Sequence, residues 1–419
     1  MNENNHISIT DEDLKSAFVG EKKAKKSKKD SKLNIEKKSL IFLISGIVCI
    51  LGGGTMILIA VLGMNQHSDS LDFPALLSDD DKEVYYSALT GEKLSDEEAI
   101  TAPAYCIQTP NGTDGARPQA GLNQAGVIFE AIAEAGITRF AAIYQDPTSS
   151  VIGPIRSLRS YYLEWDTPFD CTIVHAGGSG DALAAVSAGG YKDLSEDYSY
   201  MYRGTSGNRL WNNLFTTATY LKKFSADHNY SKSEIKGFSR MTPSESAKAR
   251  VDQTAKTKLD IVKPAEGNTS EVEATAPAIG IRFGGIANFN VDYTYNAETN
   301  TYERSYQSGV AHEVYSCSAE DLGEKNPEEV CSLVQMSPSV VVAIIVSERR
   351  AADNYHEDID VIGSGDAYIF QNGTATKGTW QKSTKADQIK FTDADGKEIK
   401  LAPGQTIISA VPNYGSVEF

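Results

Sequence analysis

Positive charge is in short supply: 40 Lys and Arg face 56 Asp and Glu, for a formal net charge of −16. Phosphate backbones are held by clustered cations, so a general nucleic-acid binder is excluded. Histidine is scarce, at six residues, and the five cysteines form no Cys-x-x-Cys pair and no Cys/His spacing of the kind zinc requires. No metal and no cofactor is therefore expected. No repeat period is present, which excludes solenoids and propellers. Hydrophobic residues at 41% and charged residues at 23% are ordinary globular usage, so neither wholesale disorder nor a multi-span membrane protein fits.

One long uncharged run stands out, the 24 residues LIFLISGIVCILGGGTMILIAVLG at 40–63. At ~1.5 Å per residue it reaches about 36 Å, enough to cross a hydrocarbon core of ~30 Å. Residues 22–38 hold nine lysines against Asp30 and Glu36, whereas the far flank is acidic. The positive-inside rule then places 1–39 in the cytoplasm as a Lys-rich disordered tail and 64–419 outside. The tail nets +3, leaving −19 for the rest of the chain. The run is longer than a signal-peptide core and lacks a small-x-small cleavage site. Val48, which precedes Cys49, is not the small residue that a lipid-modified cysteine needs. An uncleaved single-pass anchor is expected.

Beyond it the acidic stretch 64–100 reads as a stalk. Residues 101–245 mix strand and helix signals. APAYCIQ is a short strand, NQAGVIFEAIAEAG and ITRFAAIYQD form a hairpin or helix–strand pair, and DCTIVHAGGSGDALAAVSAGG reads strand, Gly-rich loop, helix. Across 246–278 aromatics vanish, which marks a linker or excursion. Residues 279–419 carry the β-branched run Val340–Val346 and hairpins at Asn372-Gly373 and Asp395-Gly396. The expected fold is thus α+β: a transmembrane helix, a mixed α/β outer domain, then a mainly antiparallel β domain.

The segments ARPQAGLNQAGVIFEAIAEAGITRFAAIYQ, IGPIRSLRSYY and TIVHAGGS, with GSGDAYIFQNGTATKGTWQKS and LAPGQT further on, resemble the motifs of the YerB-like family. These are extracytoplasmic proteins, often lipoproteins, of Gram-positive bacteria. The resemblance covers most of 100–415. It implies an envelope location and a two-part outer region, and no settled activity.

An outer compartment permits disulfides. Cys106 and Cys171 fall in one part, Cys317 and Cys331 in the other. Four cysteines allow three pairings, and pairing within each part is expected.

Three clusters carry candidate chemistry. In GPIRSLRS a helix starting near Ile155 would put Arg156 and Arg159 on one face with Ser157 beside them, a site suited to phosphate or carboxylate. In HAGGSGD, His175, Gly177, Gly178 and Ser179 follow a strand and precede a helix, where ligands approach the backbone at strand ends. The loop matches neither a dinucleotide-binding nor a P-loop glycine pattern. In VIFEAIAEAGITRF, Glu130 and Glu134 are carboxylates in apolar surroundings. Either Arg139 neutralises one of them or they face a cleft as acid and base. Arg209 and Asn213, in the NRLWNNL motif, are added as ligand-binding residues.

Three functions follow. The first is a binding module for an anionic or glycan ligand. The second is a cell-wall enzyme, a glycosidase using Glu130 or Glu134 or a phosphoryl-group transferase using the arginines, with His175 converging on the same site. The third is an envelope scaffold. The expected partners are the membrane and cell-wall glycan or anionic polymer.

Overall fold

Runs rich in Val, Ile, Phe and Tyr become the strands of one mixed sheet, to which both ends of the outer region contribute. The computed structural model describes residues 84–205, 211–250, 261–262, 274–275 and 278–419. The strands of the main sheet are β1 (Ala104–Pro110), β2 (Val127–Glu134), β3 (Ile137–Gln145), β4 (Thr172–Val174) and β5 (Lys192–Leu194). They are joined by β6 (Val340–Val346), β7 (Gly363–Gln371), β8 (Thr374–Lys382), β9 (Lys390–Thr392) and β10 (Thr406–Pro412). Their order across the sheet is β9-β8-β7-β6-β10-β2-β3-β1-β4-β5, with Ala274–Thr275 pairing the start of β8.

The join is the parallel pair β2–β10, in register from Val127 with Thr406 to Glu130 with Ser409. The two parts expected from the sequence as separate domains therefore share one sheet. Strands buried on both faces read as continuous apolar runs. Val342 and Ile344 of β6 enter the core on one face, with Phe129 and Trp165, while Val341 and Ala343 enter the core on the other. A second sheet, including Val291–Asn296 and Thr301–Tyr306, packs Tyr293 and Tyr302 into that second core. Two helices bear on the candidate site, α1 (Ser160–Asp166) and α2 (Gly180–Ser187). In α1, Trp165 stacks on Phe129 with ring centroids 4.9 Å apart, and the Tyr161 hydroxyl donates to the Ile132 carbonyl at 2.8 Å.

Of the two readings of NQAGVIFEAIAEAG and ITRFAAIYQD the hairpin forms, β2 with β3 across Ala135-Gly136, and β7 pairs with β8 across Asn372-Gly373 as expected, all four turn residues at positive φ. Both expected disulfides are present, Cys106–Cys171 and Cys317–Cys331.

Two expectations are corrected. Residues 84–100 are not stalk: Leu89 is buried in the core and the Ser87 hydroxyl donates to Gln145 at 3.2 Å. The helix expected from Ile155 begins five residues later, at Ser160, with Arg159 as its extended N-cap. The tail 1–39, the span 40–63, residues 64–83 of the stalk and most of the linker 246–278 lie outside the described residues; the helix Pro243–Ala249, with a Thr242/Glu245 capping box, runs into the start of that linker. Among the described residues no helix is long and apolar enough to cross a membrane.

Candidate functional site

Three strands, β1, β4 and β5, run parallel, so their carboxyl ends lie on one edge of the sheet. In open α/β sheets this is where ligands bind. Residues 156–158 cross these strand ends outside any helix. The Arg156 amide donates to the Gln108 carbonyl at 2.8 Å, and the Ala176 amide donates to the Arg156 carbonyl at 3.1 Å. Leu158 then bonds to Gly177 and receives from Ser179. These tertiary bonds satisfy the backbone and hold 156–158 out of helix. Gly177 turns the loop at φ +67°, a conformation that favours glycine, and Ser179 stands at the N-cap position of α2 without a side-chain capping bond. Gly178 packs against Leu158 and Leu183, where a Cβ would meet the Leu158 carbonyl oxygen and the Leu183 side chain at 3.1–3.2 Å, a tight fit.

This segment brings Arg139, Arg156, Ser157 and Arg159 together near Glu134. Glu134 is clamped: Arg139 Nη2 lies 2.6 Å from one carboxylate oxygen and Arg159 Nη2 lies 2.5 Å from the other. Burial raises the Glu134 pKa, but the two guanidinium groups more than offset it and hold the carboxyl below its ordinary value. Arg139 also donates to the Ser157 carbonyl at 2.8 Å, and burial lowers its own pKa. Arg156 is half-buried. Its Nε donates to Asn212 Oδ1 at 3.0 Å, and among the described residues it makes no ion pair. Burial lowers its pKa, Asp114 and Glu134 oppose that, and Arg203 and Arg159 repel it. Arg139, Arg156 and Arg159 against the carboxylates of Glu134 and Asp114 leave one positive charge in excess at this corner.

The other candidates stand apart. Glu130 does not face a cleft and does not pair with Arg139. It is fully buried against Arg304, whose Nη1 and Nη2 each lie 3.0 Å from a carboxylate oxygen, and it accepts from Thr138 at 3.0 Å and Asn111 at 3.3 Å. His175 is buried with both ring nitrogens engaged, Nδ1 with the Gly177 carbonyl at 2.7 Å and Nε2 with Asp193 at 2.9 Å. Neither offers a free acid or base to a substrate. Asn213 binds Arg203 at 2.8 Å and the Gly204 carbonyl at 3.1 Å. Arg209 lies outside the described residues. Trp211, which precedes Asn212 in the chain, is 71% exposed, and Tyr198, whose hydroxyl accepts from Arg203 at 2.9 Å, is 59% exposed.

Sequence reasoning missed Arg304, His312, Gln119 and Asn111, the buried polar network around Glu130. Arg304 Nε donates to His312 Nδ1 at 2.9 Å, and His312 Nε2 meets Gln119 Oε1 at 3.1 Å. Burial, then Arg304 and Arg117, push His312 well below its ordinary pKa. A signal was present: in TYERSY the arginine takes the inward step between Tyr302 and Tyr306.

The model of a family described as "Protein of unknown function (DUF3048) N-terminal domain" matches residues 89–231, and that of the corresponding C-terminal domain matches 279–408. The chain is 28% identical over 329 residues to "Putative lipoprotein YerB" of Bacillus subtilis (strain 168), covering 78% of this chain and 86% of that protein. The crystal structure of YerB protein from Bacillus subtilis aligns with a TM-score of 0.60 at 23% identity, covering 80% of this chain and 99% of that one, which shows a common fold. Both halves of the outer region are matched in order, and this chain belongs to the YerB-like family, built on a two-part domain of unknown function.

Proposed function

We propose that this chain is a single-pass, membrane-anchored envelope protein whose outer body binds an anionic cell-wall polymer at Arg156. The uncharged run 40–63 behind a lysine-rich flank supports the anchor and its orientation. Two disulfides support an oxidising compartment, and the Bacillus relative's name, a lipoprotein, supports a membrane-bound envelope location.

The observation that carries the ligand reading is the division of labour among the arginines. Arg139 and Arg159 each give a donor to Glu134, whereas Arg156, at the strand ends, makes no ion pair among the described residues. A guanidinium with donors to spare suits phosphate or carboxylate. The exposed faces of Trp211 and Tyr198 suit the sugar or polyol backbone of such a polymer. The burial of Glu130 and His175 and the clamping of Glu134 weigh for binding over bond cleavage.

The test is retention of the full-length chain, in detergent, on immobilised poly(glycerol phosphate) against uncharged dextran. The expected result is retention on the phosphate polymer alone, lost in Arg156→Glu and kept in Arg156→Lys. Equal retention of wild type and Arg156→Glu would remove Arg156 from the site.

A further inference from the structure

A second cavity, of about 310 Å³, opens where the loop after β1 meets the second sheet. That volume is at the small end of the range for ligand pockets. Its walls include Thr113, Arg117 and Pro118 from the first matched part of the chain and Tyr306, Val310 and Ala311 from the second. It is distinct from the Arg156 crevice, although the same loop serves both: the Asp114 carbonyl accepts from Asn212, the partner of Arg156.

Arg117 is the charged group of this cavity. Its guanidinium lies 3.7 Å above the Tyr306 ring and 5.1 Å from the Phe289 ring. Nε donates to Asn111 Oδ1 at 2.9 Å, and both Nη atoms share the Asn288 carbonyl at 3.3 Å. Three of its five N–H groups are thus used, the last two weakly. Among the described residues it makes no ion pair. The nearby carboxylate, Glu130, is already neutralised by Arg304 from below. A half-buried guanidinium without a counter-charge is costly. Burial, and Arg304 beyond it, lower its pKa accordingly.

The surroundings narrow the ligand. One unpaired cation calls for one negative charge. Glu313 on the rim opposes a dianion, and Pro118, Val310 and Ala311 offer apolar wall. We propose that this cavity binds a small monocarboxylate, its carboxylate on the free donors of Arg117 and its hydrocarbon portion against Pro118 and Val310.

Titration calorimetry on the full-length chain in detergent, with butanoate and with inorganic phosphate at neutral pH, tests this. Butanoate is expected to bind, and phosphate to bind more weakly. Arg117→Lys, which loses the planar fork, is expected to weaken butanoate about tenfold or more. Because Arg117 also makes structural bonds, the decisive variants sit on the rim. Val310 is 61% exposed, so Val310→Glu and Val310→Lys leave the fold intact. Both lose the apolar contact, so the sign of the new charge separates them: the first should weaken butanoate several-fold more than the second. Binding should persist in Arg156→Glu, which separates this site from the polymer site. No binding of butanoate to wild type, equal binding by the two Val310 variants, or tighter binding of phosphate than of butanoate would each overturn the proposal.

Discussion

Glu130 and Arg304, 174 positions apart in the chain, meet as a two-point ion pair with neither side chain exposed. The pair ties β2 of the first half to the second sheet. Burial works against the charge on Arg304, and Glu130 more than offsets it, raising the Arg304 pKa. Removing one partner leaves the other charge buried and unpaired, which costs about 3–5 kcal/mol. Arg304→Met should lower stability by that amount, and Glu130→Leu/Arg304→Met should recover part of it. Urea unfolding followed by tryptophan fluorescence measures both; equal stability of wild type and the single variant would make the pair incidental.

Glu134→Gln should destabilise the chain by about 3 kcal/mol, because Arg139 and Arg159 lose their shared anion. The folded carboxyl titrates below its ordinary value, so its stabilising contribution is present above the unfolded pKa and fades as pH falls through the folded one. Thermal melts from pH 7 to 3 should therefore converge for wild type and Glu134→Gln at the acid end. Parallel curves would contradict the clamp.

Glu348 behaves oppositely. Burial pushes its carboxyl up to about 7, against the hydrogen bond donated by the Tyr414 hydroxyl at 2.6 Å, and Glu357 adds to the rise. The folded chain holds a proton that the unfolded chain releases above about 4.5. Stability is thus fully present below the unfolded pKa and declines as pH rises towards 7. Glu348→Gln should remove this decline and melt above wild type at pH 8. A difference between the two melting curves that does not change with pH would refute the assignment.

The disulfides close loops of different length, with sequence separations of 65 for Cys106–Cys171 and 14 for Cys317–Cys331. The chain-entropy model gives them about 4 and about 3 kcal/mol. Reductant should therefore lower the urea midpoint, and the Cys317→Ala/Cys331→Ala variant should lose less than Cys106→Ala/Cys171→Ala. The reverse order would count against that model here.

The local structure was legible and the long-range pairing was not. Asn372-Gly373, the β-branched run at 340–346 and the strand–glycine–helix order at 172–187 each announce their element through backbone preference. The start of α1 was misplaced because residues 156–158 take their hydrogen bonds from Gln108 and the 176–179 loop, contacts that no local pattern encodes. One sheet spanning both halves depends on β2 lying beside β10. Both are ordinary buried strands, and neither names its neighbour. The partners of the acids were hidden for the same reason: Glu134 pairs with residues 5 and 25 positions away, Glu130 with one 174 away.

The central claim is that Arg156 is the cation left for a ligand while its neighbours are spent on Glu134. The most direct measurement is titration calorimetry of poly(glycerol phosphate) into full-length wild type, Arg156→Lys and Arg156→Ala in detergent. The account predicts that affinity falls in that order while melting temperatures stay together. An unchanged dissociation constant in Arg156→Ala would contradict it.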